Sequence, residues 1–455
     1  MPLDRKTLLV GILPLTLPIL AEQALIVGMS TVNGAMASNV GKVAASSIGI
    51  VDAITWVLIG FFTSLALGGT VLVAQCWGRN DREAARRAAA QTIMACVALA
   101  TVLGALAAVF ARDIIAVLYP GAEPAVVRGA AVYLRITALG YPFLAATLAS
   151  SGVLRGAGDS RSPMFVNVSM SVVNVAASAF LIFGLDVFGI RTPAFGVAGA
   201  AMGITLARAF GTAFYAYVFR RGSLVLRLES LSAFRPDAAT LGKVFSIGIP
   251  SGIETLTFNG GKLLTQVYIV SLGTGAIAAN YVASSISGFL QIPGASLSIA
   301  ATTLVGQAVG KRDYEGAKRL LLGSVVVGSL SQLALTIPGF PLTAPLIGLY
   351  TADAEVARIA GDLLKIMFIA SPLLWSTSFI LPAGLRGAGD VRFPMFVSMA
   401  SMWSIRVSFG WVLAIPLGLG VVGVWAAMII DWVLRSAFFG LRLHGHRWRR
   451  DEIKL

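Results

Sequence analysis

No charged residue stands between Asp52 and Arg79, between Arg87 and Arg112, or between Arg319 and Asp353. Each run is longer than the ~20 residues with which an α-helix crosses a bilayer. A chain built from such runs is expected to fold as a polytopic α-helical membrane protein. Composition agrees: 57% of residues are apolar, 12% are charged and the mean hydropathy is +0.83. A soluble domain carries about 25% charge.

Alternation of apolar runs and breaks predicts twelve spans, at 8–34, 44–74, 89–110, 124–153, 164–186, 194–219, 239–270, 277–307, 317–345, 354–383, 395–415 and 419–441. The formal charge of +14 would point to nucleic acid in a soluble protein. Here 24 of the 35 Lys and Arg fall in alternate links on one side and five on the other. That bias places both termini in the cytoplasm and excludes a nucleic-acid partner. Arg5, Lys6 and the apolar run behind them resemble a signal peptide, but no small-residue cleavage site follows, so the run is expected to stay as the first helix. Cys76 and Cys96 form no framework, and whether they bridge is left open.

Four landmarks occur twice in the same order. LPILAE at 17–22 returns as IPSGIE at 249–254, matching Pro18 to Pro250 and Glu22 to Glu254. LVAQCWGRNDREAARR at 72–87 returns as LVGQAVGKRDYEGAKR at 304–319, and YLRITALGYP at 133–142 as LLKIMFIASP at 363–372. LRGAGDSRSPMFV from Leu154 returns as LRGAGDVRFPMFV from Leu385. The chain is therefore a duplication. Six spans separate each landmark from its copy, so the halves are expected to be parallel repeats, an arrangement that puts a transport path where the repeats meet. The expected lobes are 1–222 and 223–441, with an inter-lobe linker at 220–240 and a basic cytoplasmic tail at 442–455. In the last landmark, Gly156 and Gly158 suit a tight turn and Arg155 holds the link to its face. Ser162 and Pro163 read as cap and first turn of the next helix. Asp159 is expected to accept a hydrogen bond from an arginine or from that helix start. Arg386, Gly387, Gly389, Asp390 and Pro394 repeat the pattern. No GxxxxGK[ST] loop occurs, which excludes a resident ATP motor of that type.

Two six-helix halves, each with an LRGAGDxRxP link after its fourth helix, resemble the multidrug and toxic compound extrusion (MATE) transporters. The AQxxGxxDxExA link after the second helix, its looser copy after the eighth, and FRPD at 234–237 strengthen the likeness. The resemblance implies two lobes about a central cavity and export of amphipathic organic cations driven by inward H⁺ or Na⁺. It also marks departures. Many members carry an Asp fifteen residues beyond the proline matching Pro18; here that position is Asn33. The acid positions of the seventh and tenth helices are Thr257 or Phe258 and Trp375.

Four acids fall well inside predicted spans: Glu22, Asp52, Glu254 and Asp431. Ionisable groups in hydrocarbon are functional candidates by default. Glu22 and Glu254 each follow a helix-interior proline by four residues, so either could exchange a proton or, without titrating, bond the kinked backbone or a neighbouring helix. Helical spacing puts Asn33 on the face of Glu22 and Thr265 on that of Glu254. Asp52 sits nearer the outer surface. Asp431 and Arg435, one turn apart, are expected to neutralise each other, with Arg406 as another partner. Lys262 is expected to meet an acid from another helix, an anion or outer-side water. Arg135 and Lys365, related by the repeat, are expected to snorkel. Phe258, Tyr141, Tyr281 and Trp375 are candidate aromatic faces for an organic cation. His444 and His446 lack the neighbours of a metal site.

The leading expectation is thus a secondary antiporter of the bacterial plasma membrane, working as a monomer without a cofactor, with H⁺ ahead of Na⁺ as coupling ion. The alternative is a flippase for a lipid-linked or polyprenyl-phosphate substrate, which a cationic cavity would favour. An enzyme is not expected, because no nucleophile has a plausible base.

Overall fold

The computed structural model describes residues 11–39, 41–184, 186–187, 190–191, 193–221, 226 and 235–449, with the side chains of 30–35, 37–39, 186–187 and 190–191 left aside. Seventeen helices are described: α1 Leu13–Asn39, α2 Lys42–Gly78, α3 Arg82–Val109, α4 Ala111–Leu118, α5 Pro124–Leu139, α6 Tyr141–Gly156, α7 Arg161–Phe183, α8 Gly196–Arg221, α9 Ala238–Ser271, α10 Thr274–Gly310, α11 Tyr314–Gly339, α12 Thr343–Gly348, α13 Ala354–Ala370, α14 Ser376–Gly387, α15 Arg392–Ser401, α16 Gly410–Ala414 and α17 Gly420–His444. The strands described are a two-residue hairpin, Asp186–Val187 with Ile190–Arg191.

Twelve passes emerge once broken helices are joined. Among the described residues nine helical stretches are long and apolar enough to cross a bilayer, and α5 with α6 makes a tenth. The remaining two passes are α1 and α9, which carry Glu22 and Glu254. The chain is an all-α membrane protein. Prolines stand at two of the breaks, whereas the third, an eight-residue π-helical turn Met402–Phe409 between α15 and α16, contains none. Pro142 follows a 49° bend between α5 and α6, and its counterpart Pro372 sits in a five-residue π-helical turn, Ser371–Trp375, between α13 and α14. Pro18 and Pro250, by contrast, are carried inside unbroken helices.

The chain gathers into two compact units. Among the described residues, one comprises those within 21–73 and 81–252, and the other those within 11–20, 74–80 and 253–449. The first packs Phe62, Tyr133, Leu134 and Tyr141 into one apolar cluster. The second holds two clusters, one around Trp375, Trp425 and Trp432 and one around Leu297, Leu321, Phe439 and Trp448. The charge-poor helices gain little from hydrophobic burial against lipid, so close packing and interhelical hydrogen bonds carry the association. At one such contact the copies meet each other. A Cβ on Gly78 would lie 2.1 Å from the Gln307 carbonyl oxygen, and one on Gly310 2.1 Å from that of Gln75. Gln75 also donates to the Gly387 carbonyl at 3.1 Å.

The duplicated links are turn and cap devices. Asp81 accepts from the Ala84 N–H at 3.0 Å and Asp313 from the Gly316 N–H at 2.7 Å, capping α3 and α11. Asp313→Ala should remove about 1 kcal/mol of stability, read as a lowered melting temperature of the purified protein, while Glu315→Ala in the same turn should remove less. Gln91 on α3 ties down the FRPD segment, donating to the Arg235 carbonyl at 2.6 Å and accepting from the Asp237 N–H at 3.1 Å. Asp237 caps α9, and its carboxyl is held below the ordinary range chiefly by the hydroxyl of Thr240.

The LRGAGD turns close in the same way twice. The Asp159 N–H reaches the Leu154 carbonyl and that of Asp390 reaches Leu385, both at 2.9 Å, with Gly158 at φ +95° and Gly389 at φ +88°. Gly156 and Gly387 end α6 and α14, while Pro163 and Pro394 lie in the first turns of α7 and α15. The cap differs from the sequence expectation. α7 begins at Arg161 behind Ser160, and Asp159 supplies the cap by accepting from Ser162 N–H at 2.9 Å and Ser162 Oγ at 2.6 Å. The second copy has Phe393 in place of Ser162, and Asp390 accepts from Arg442 Nε instead, at 2.8 Å.

The C-terminal segment is also more structured than a free tail. α17 runs on to His444, Trp448 is buried edge-on against Tyr314, and Arg449 pairs with Glu315 at 2.6 Å. His444 and His446 are exposed. Cys76 and Cys96 are buried free thiols. Of the expected linker 220–240, residues 222–225 and 227–234 lie outside the described residues.

Candidate functional site

Arginine is the residue that the twice-written LRGAGD phrase contributes to chemistry. Arg155 Nη2 donates to Glu22 Oε1 at 2.5 Å, and Arg386 Nη1 donates to both oxygens of Glu254 at 3.1 and 3.0 Å. In each unit, the acid four residues after a proline meets the guanidinium on the last turn of the bent fourth or tenth pass. A cation there also complements the carbonyl end of its helix. The pairs are unequally braced. Glu22 Oε1 also accepts from the Asn167 amide at 2.7 Å, and Asn167 in turn accepts from Tyr215 at 3.2 Å. Glu22 is 1% exposed and Glu254 8%. Neither glutamate bonds the kinked backbone in these hydrogen bonds; each is held by an arginine whose role in sequence reasoning was only to anchor a link. The shared spacing of the four residues, 133 and 132 positions apart within each half, is the signal that would have joined them.

A separate cavity of about 350 Å³ lies wholly within the second unit, lined by residues of α9, α10, α13, α14, α17 and the two π-helical turns. It brings together three of the candidates, Phe258, Lys262 and Trp375, and adds Arg406, Thr265 and Gln266. Trp375 stacks on Phe379 with centroids 4.7 Å apart, presenting a flat aromatic wall. Lys262 and Arg406 lie 5.1 and 5.8 Å from the Phe258 ring centre. The lining contains no carboxylate. Glu254 is not among the lining residues although Thr265, on the same helix face, is. Lys262 makes no ion pair among the described residues, so the acid expected from another helix does not meet it.

Other candidates fall elsewhere. Tyr141 is fully buried in the core of the first unit, bonded to Thr55 at 3.3 Å, because the bend at Gly140 turns it inward. Tyr281 is 66% exposed and does not line the cavity. Asp52 is half-buried and accepts from Tyr133 at 3.5 Å, with buried Arg208 near enough to attract it. Asn33 lies on α1, but its side chain is outside the described residues. Asp431 is fully buried and neither of its oxygens has a hydrogen-bond partner among the described residues. Arg435 turns instead to the Ser378 carbonyl at 3.4 Å and to the Phe379 ring at 4.9 Å, so the expected neutralising contact is not a direct one. Arg135 and Lys365 are exposed, as snorkelling requires, and Lys365 reaches Asp362 at 3.3 Å.

The MatE family model matches residues 18–180 and again residues 250–412, so each match begins at one of the paired prolines.

This chain belongs to the MatE family.

Similar proteins agree along nearly the full length of this MatE family member. The chain is 28% identical to the "Uncharacterized transporter YisQ" of Bacillus subtilis, over 95% of this chain and 94% of that protein. It is 27% identical to a "Probable multidrug resistance protein NorM" of Thermotoga maritima, over 97% and 93%. The fold matches a multidrug resistance MATE family transporter of the MOP superfamily in an outward-facing conformation, with TM-score 0.84, 21% identity and 94% of each chain covered. It also matches a MOP superfamily transporter from Pyrococcus furiosus described as having a binding pocket of reverse polarity, with TM-score 0.83, 20% identity and 94% of each chain covered. Of the two sequence relatives, one is thus named a transporter and the other a probable multidrug resistance protein.

Proposed function

We propose that this chain is a secondary active efflux transporter. It exports small amphipathic organic compounds in exchange for an inward ion, by alternating access between lobes 1–222 and 223–441 in a bacterial inner membrane, with both termini cytoplasmic and one chain sufficing. The observation that carries the reading is the pair of buried ion pairs, Glu22 with Arg155 and Glu254 with Arg386, built by duplicated phrases in a multidrug-transporter family fold. Each pair joins a helix that carries the acid to the end of a proline-broken pass. Neutralising the carboxylate with a proton leaves the guanidinium without its counter-ion and weakens that joint, which is how an arriving ion would alter access. H⁺ stands ahead of Na⁺ because one carboxylate can accept a proton, whereas a bare metal ion needs several oxygen ligands. Organic cations, the substrates implied by the MATE resemblance, are the first to test.

The test is efflux of a fluorescent organic cation from proteoliposomes under proton and sodium gradients imposed separately. A pH gradient is expected to drive it, and Glu22→Gln and Glu254→Gln are each expected to lower the driven rate at least tenfold at equal protein content. Flux that ignores both gradients would remove the antiport reading.

A further inference from the structure

Lys262 and Arg406 share one aromatic ring, carry like charges and face a cavity without a carboxylate. Lys262 is exposed and Arg406 half-buried, so both cations stand open to the space, and two neighbouring like charges with no acid between them draw an anion into it. Arg406 Nε is buried with no hydrogen-bond partner among the described residues. The acids nearest by are already engaged: Glu254 is held by Arg386, and Asp431 sits buried on α17, attracting both Arg406 and Arg435 rather than lining the space. The lining thus carries two cations, Lys262 and Arg406, and no acid. The rest of the wall is what an amphipathic body needs. Trp375 and Phe258 offer apolar faces, and Gln266 and Gln291 add polar amides to the lining. At about 350 Å³ the space suits one small drug-sized molecule.

We propose that this cavity binds an amphipathic organic anion, an aromatic body bearing a carboxylate, sulfonate or phosphate, with Lys262 and Arg406 meeting the anionic group. The site rests on the transport reading above and adds to it an anion-binding place within the second unit, where Lys262 and Arg406 oppose the entry of a cation. The anionic group can come from a free solute or from a lipid headgroup.

The experiment uses the full chain in nanodiscs of phosphatidylcholine and two radiolabelled probes, 1-naphthalenesulfonate and tetraphenylphosphonium. Saturable naphthalenesulfonate binding is expected, weakening with added salt and falling at least tenfold in Lys262→Gln and in Arg406→Gln. Arg406→Lys is expected to keep most of the binding, which separates loss of the site from loss of the fold. Lys262→Glu is expected to shift preference towards tetraphenylphosphonium. Displacement of naphthalenesulfonate by short-chain phosphatidic acid doped into the disc assigns the site to a headgroup; its absence assigns it to a free organic anion. Naphthalenesulfonate binding that is undetectable, or unchanged in both glutamine variants, overturns the proposal. Gradient-driven flux measured in parallel keeps the two readings apart. Anion binding without any driven flux would sink the transport reading alone, and driven cation flux without Lys262-dependent anion binding would sink this one alone.

Discussion

Glu22→Ala is expected to be among the most damaging single substitutions, lowering stability by about 3–5 kcal/mol. That is the cost of breaking a buried ion pair from one side, because the surviving charge stays buried without its partner. Arg155 is 13% exposed at its side chain and would keep no carboxylate within reach in the described contacts. Asn167 would lose its acceptor as well. Glu254→Ala should cost less, since Arg386 and Glu254 are 20% and 10% exposed at their side chains and water can take over part of the solvation. The comparison is made by thermal unfolding of the purified proteins in one detergent. The double variant Glu22→Gln/Arg155→Gln should recover much of the loss, because no unpaired charge remains, yet should stay inactive if the pair also carries the coupling proton. A Glu22→Ala protein that melts with the wild type would contradict the geometry of the pair.

Gly78→Val and Gly310→Val are expected to abolish folded protein rather than tune it. The obstacle at each position is a backbone carbonyl of the facing helix, 2.1 Å from the new Cβ, and backbone cannot rotate aside as a flexible side chain can. Overpacking of this kind costs about 1–3 kcal/mol where neighbours yield, and here the helices themselves must separate. Gly28→Ala on α1, with nothing within 4 Å of its Cβ, is the control and should change stability by less than about 0.5 kcal/mol. Size-exclusion profiles and yields of membrane-extracted protein separate these outcomes.

Much of the architecture was legible because hydrocarbon leaves a chain few options. Charge-free runs gave the passes, and the predicted ends fall within a few residues of the helices in most cases. The seventh pass was found from its pattern although Glu254 and Lys262 dilute its hydropathy. The repeat located the turns, and Asp159 and Asp390 filled the two bonding options foreseen for the first of them, one at a helix start and one with an arginine. What escaped the reading depended on orientation. A proline four residues before an acid did not reveal which distant arginine the acid would meet. Nor did helical spacing reveal that Thr265 would face the cavity while Glu254 turned to Arg386. Tyr141 was read as a cavity face, but the 49° bend beside it buries it. Arg406 was read as one member of a structural set with Asp431; its position in the π-helical turn Met402–Phe409, where helical registry shifts, brings it to the cavity wall.

The unequal bracing of the two ion pairs has an evolutionary consequence. Position 167 supplies an amide to the first carboxylate, whereas its counterpart in the second half is Ser398, whose hydroxyl makes no such bond among the described residues. After the ancestral gene fused with its own copy, one latch acquired a second fastening and the other kept a single grip. A chimera made of two first halves would therefore hold both latches doubly fastened, and one made of two second halves would hold neither so.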